Sequence, residues 1–64
     1  MAPKIGQTYK LRHVRFGNAT VRVAAIDGEW IELVIVRGIL RSLLDEWGPG
    51  ERKTVRDCHC TFTR

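Results

Sequence analysis

Acidic residues are missing from the first 26 positions, cysteine is reduced to two, and no apolar run exceeds four residues. Each shortage excludes something. Cys58 and Cys60 cannot supply a disulfide framework, and on one strand their Cα atoms would stand about 6.7 Å apart, near the upper limit for a bridge. Free thiols favour a reducing compartment. No stretch approaches the roughly 20 apolar residues that cross a bilayer. The opening Met1-Ala2-Pro3-Lys4 has no signal core. The expectation is a soluble cytoplasmic protein without a membrane partner.

The chain of 64 residues reads as one small domain over 1–64, with 1–6 a flexible lead-in around Pro3 and Gly6. A domain of this size buries only about 60% of the surface its unfolded chain exposes. Its charge is unevenly placed. Residues 1–26 carry Lys4, Lys10, Arg12, Arg15 and Arg22 for +5, while residues 27–64 carry seven acids against six cations for −1. The whole excess of +4 therefore belongs to the N-terminal part. Such asymmetry suits an anionic partner. It also suits plain solubility.

Trp30-Ile31-Glu32-Leu33-Val34-Ile35-Val36 is the longest β-branched segment and predicts a central strand. Gly17-Asn18 and Asp27-Gly28 read as two-residue hairpin turns before and after the second strand. With those turns Phe16 opposes Ala19, Val14 opposes Val21, and Val21 opposes Val34. The result is a three-stranded antiparallel meander with both faces apolar. Tyr9, Leu11, Ile31, Leu33 and Ile35 share one face. Val21, Val23, Trp30, Val34 and Val36 share the other.

One of those faces needs a lid. Ile39, Leu40, Leu43, Leu44 and Trp47 fall at helical spacing, with Gly48-Pro49 as a stop, which predicts a short helix over about 39–47. Two features oppose it: acids at its C-terminal end and a length of about ten residues. Cys58, Cys60 and Phe62 alternate onto one side of a C-terminal edge strand. The fold class is α+β and β-rich. The alternative extends 39–44 into a five-stranded, partly open barrel. In strand lengths and turns the pattern resembles a small SH3-like barrel, and this resemblance implies a fold but no activity.

No catalytic residue emerges. A cysteine nucleophile needs a base in reach, yet Cys58, His59 and Cys60 point to alternating sides of a strand. Zinc wants four ligands, usually two separated pairs, and the second pair is missing. The sequence thus predicts no enzyme, no metal and no cofactor. What remains is a small basic binding module. The expected register gathers His13, Arg15 and Arg22 in one corner, with Lys10 and Arg12 on the reverse, as a nucleic-acid backbone footprint. The alternative is a protein-interaction or inhibitor module working through an apolar sheet face at Trp30, Val34 and Val36. One face left uncovered would make it a homodimer.

Overall fold

The computed structural model describes residues 2–64; of the expected lead-in, Met1 lies outside them. Seven strands follow in order: β1 (Thr8–His13), β2 (Gly17–Asp27), β3 (Trp30–Gly38), β4 (Leu40–Arg41), β5 (Glu46–Trp47), β6 (Arg52–Arg56) and β7 (Cys60–Thr63). Five of them form an antiparallel sheet in the order β6-β3-β2-β1-β7, and β4 pairs with β5 in a small hairpin. The edge strands β6 and β7 do not pair, so the sheet is not closed. A single 3-10 turn, Asp57–His59, joins them directly. It is held from both sides: Val14 N–H donates to the His59 carbonyl and Asp57 N–H to the Glu29 carbonyl.

The first hairpin departs from expectation. The turn residues are Val14, Arg15 and Phe16, and Gly17 already lies in β2 opposite His13. Two features hold this geometry. The His13 Nδ1 accepts the backbone N–H of Arg15 at 3.0 Å and of Phe16 at 3.2 Å. Gly17 then leaves the turn at φ +89°, a conformation open to glycine at little cost. Ala19 consequently faces Leu11 rather than Phe16, a slip of five residues. An odd slip exchanges the two faces of a strand.

The second hairpin also shifts. Asp27 pairs with Trp30, and two bulges separate Thr20 from Val21 and Val23 from Ala25, so Val21 opposes Ile35 rather than Val34. Together the slips put the apolar residues of three strands on one side. Tyr9, Leu11, Ala19, Val21, Val23, Ile31, Leu33 and Ile35 form one buried cluster with Leu40, Val55 and Phe62. Val55 belongs to β6 and Phe62 to β7, so the sheet curls until residues from its two edges share a core. Each such Leu, Ile or Phe stabilises the fold by about 1.5–3 kcal/mol on burial. The expected uncovered apolar face is therefore filled within one chain.

The expected helix over 39–47 is a correction. The segment is the β4–β5 hairpin, with Ser42 N–H donating to the Asp45 carbonyl and Ser42 Oγ accepting the N–H of Leu44 and Asp45. Only Leu40 of its aliphatic residues is buried; Leu43 and Leu44 are 103% and 93% exposed. A short segment with acids against the dipole gains little as a helix, and a serine that caps its own turn favours the bend. The lead-in is tied rather than free: Lys4 N–H donates to Tyr9 Oη and Gly6 N–H to the Val23 carbonyl.

Candidate nucleic-acid interface

The slip that buries Tyr9 and Leu11 turns their neighbours outward. Lys10, Arg12 and Arg22 all lie on the outer face of the sheet, since Lys10 pairs with Thr20, Arg12 with Asn18, and Arg22 with Thr8. Arg37 joins them. Simple alternation from Ile35 would turn Arg37 inward, but the bulge beside Val36 places it opposite Thr20. On the other flank β7 sets Thr61 beside Arg12 and Thr63 beside Lys10. One row across the sheet thus reads Thr63, Lys10, Thr20, Arg37. These side chains surround a shallow, open depression of about 520 Å³ that Asn18 and Thr61 also line.

The electrostatics of this face are one-sided. Among the described residues the ion pairs are Arg41–Glu46, Arg52–Glu32 and Arg56–Glu29, so Lys10, Arg12, Arg22 and Arg37 have no carboxylate partner. All four are exposed. Lys10 and Arg37, two strands apart, stand about 10 Å from each other by strand spacing. At that distance their repulsion in water is about 0.4 kcal/mol, and salt screens it further. The concentration of charge is cheap to maintain. The acids of the same sheet lie toward the β2–β3 hairpin, where Glu29 and Glu32 are already paired with arginines.

The other two residues of the expected footprint go elsewhere. His13 is 4% exposed, and its ring serves the turn through two accepted N–H bonds. Burial, helped by His59, Lys53 and Arg15 nearby, holds its pKa below the usual histidine value. In the fold its ring is buried and accepts for the turn, and it does not stand with the outer-face cations. Arg15 sits on the turn and lines a different depression, with Phe16, Leu43 and Leu44. The sequence reading thus names Lys10, Arg12 and Arg22 but sets Arg22 on the opposite face from the other two, a placement the slipped register corrects, and it misses Arg37. No signal in the chain announces the bulge that turns Arg37 outward.

No aromatic residue lines the depression between Lys10 and Arg37. Tyr9 meets Phe62 edge-on inside the core. Phe16 stacks on His13 at 4.3 Å and leans on Trp47 at 5.4 Å, and Lys53 Nζ lies over both, 4.8 Å from Phe16 and 4.3 Å from Trp47. Trp30 stands at the far end of β3 with the Arg56 guanidinium 5.1 Å from its ring. Val34 is half-buried, whereas Trp30 and Val36 are exposed on the outside of β3.

The cysteines are free and do not share a strand face as expected. Cys58 sits exposed in the 3-10 turn, while Cys60 is half-buried and its thiol donates to the Arg56 carbonyl at 3.2 Å. Burial, with Asp57 and Cys58 adding to it, pushes the Cys60 thiol up to about 11. Such a thiol is a poor nucleophile near neutrality. Among the described residues no group of three or more His, Cys, Asp or Glu is placed to hold a metal ion. No described helix is long and apolar enough to cross a membrane. No family model matches the chain, and neither curated proteins nor solved structures match it.

Proposed function

We propose that this chain is a non-enzymatic module that binds the phosphate backbone of nucleic acid through the outer face of β7, β1, β2 and β3. The observation that carries the reading is the set of four cations without carboxylate partners on one continuous face. Arginine presents a planar fork of donors that matches phosphate oxygens, and lysine adds a point charge. Thr20, Thr61, Thr63 and Asn18 around the depression supply neutral donors between them. We also take the curled sheet as an SH3-like barrel left open between β6 and β7; the strand order and the shared core of its edges support this. A cytoplasmic location belongs to the same reading and rests on the two free thiols. Fluorescence anisotropy with a labelled oligonucleotide at low salt tests it. The reading expects dissociation constants of about 10⁻⁴ to 10⁻⁶ M near physiological salt, the range of non-specific binding. Absence of binding at low salt would dismiss it.

A second reading, protein interaction, is favoured by the Leu43-Leu44 pair at the tip of the β4–β5 hairpin, fully open to solvent. Trp30, Val34 and Val36 on β3 remain its other candidate contacts. A homodimer would have to use one of these outer patches, because the inner sheet face is filled. Apolar docking would be insensitive to salt and lost in a Leu43→Ser, Leu44→Ser variant, whereas backbone binding would keep its affinity there.

A further inference from the structure

We infer that the outer face is built for double-stranded rather than single-stranded nucleic acid, and that it binds without regard to sequence. This rests on the proposed function and names its substrate class. Proteins that hold single strands combine a basic groove with aromatic side chains on which unpaired bases stack. The depression between Lys10 and Arg37 has the first part and lacks the second. No aromatic side chain lines that depression, and Trp30, exposed on the outside of β3, stands at the other end of the strand from Arg37. Tyr9 and Phe62 are inside the core, Phe16 and Trp47 are gathered around Lys53, and Trp30 lies under Arg56 at the opposite end of β3.

Without stacking, affinity follows the density of phosphate charge. A duplex carries one charge per about 1.7 Å of axis and returns a salt slope of about −0.9 per contact, against about −0.7 for a single strand. Four contacts would give slopes of about −3.6 and −2.8. The face is also short of sequence-reading devices. Its four cations stand on the strands of the sheet itself rather than on a helix or a two-stranded ribbon of the kind that enters a major groove. Backbone contact alone carries no sequence information.

The test uses the full chain and three probes of equal length: a duplex DNA of mixed sequence, a second duplex of different composition, and one isolated strand. Anisotropy gives affinity and salt slope, and intrinsic tryptophan emission is followed in the same titrations. The inference expects several-fold tighter binding to both duplexes than to the strand, with the two duplexes equal within about twofold. It expects tryptophan emission to stay unchanged on binding. Tighter binding of the single strand, or quenching of tryptophan by it, would overturn the inference while leaving the proposed function intact. A strong preference between the two duplexes would overturn the sequence-independent part. Failure of all three probes to bind would remove the proposed function and the inference together.

Discussion

His13 is the residue whose role the sequence hid most completely. A histidine beside arginines looks like a cation for phosphate, and only the fold makes it the acceptor that shapes a turn. Its chemistry sets a pH dependence. Protonating Nδ1 would remove both accepted N–H bonds and place a charge in a buried site beside Lys53 and Arg15. The folded pKa lies below the unfolded value of about 6.5. The stabilisation is therefore present above about 6.5 and is lost as pH falls through the lowered folded value. Thermal unfolding at a series of pH values should show the melting temperature dropping on this acid side. His13→Gln offers a side-chain acceptor that does not titrate, so its profile should be flatter there. An equal decline in both proteins would contradict the assignment.

Cys60 gives a second check at the same scale. With its thiol raised to about 11 and half-buried, it should resist iodoacetamide at pH 8 and react readily only near pH 11. Cys58, exposed in the 3-10 turn, should label first. Mass spectrometry of the alkylated protein reads the order directly, and early labelling of Cys60 would count against the geometry.

Among the elements, the strands were legible and their pairing was not. The β-branched run of β3, the alternation in β1 and the apolar C-terminal strand all carry propensity and period in their own residues. Register depends on how turns close, and Gly17-Asn18 looked like the turn when it is the start of β2. The misplaced turn had a visible consequence: it spread apolar residues over two faces and called for a lid and a partner. The same error misread β4–β5, where five aliphatic and aromatic residues at helical spacing proved to be coincidence. Leu40→Ala, at a fully buried position, should cost about 2–5 kcal/mol in chemical denaturation. Leu43→Ala should cost almost nothing, because its side chain has no packing to lose. Gly38 ends β3 at φ +90°, and a Cβ there would stand 3.3 Å from Ala19 Cα. Gly38→Ala should therefore destabilise by more than about 1 kcal/mol, combining backbone strain with a crowded neighbour. Equal stability of the Leu40 and Leu43 variants would refute the hairpin.

For the whole molecule, the sequence disclosed an acid-free N-terminal part, and the fold converts that asymmetry into a face. The sum of charge was readable; its geometry needed the slip of β1 and the bulge in β3. In the proposed function Lys10, Arg12, Arg22 and Arg37, on one face, act together on a polyanion, and Arg15, on a different depression, stands outside the set. The most direct measurement is the slope of log K against log salt for duplex DNA, taken for the native chain and single alanine variants. The native chain should give a slope of about −3.6, reduced by about 0.9 in Lys10→Ala and in Arg37→Ala, since each removes one phosphate contact. No change of slope is expected in Arg15→Ala, which loses the same charge from a different surface. A slope lowered as much by Arg15→Ala as by Arg37→Ala would show that total charge, and not this face, governs binding.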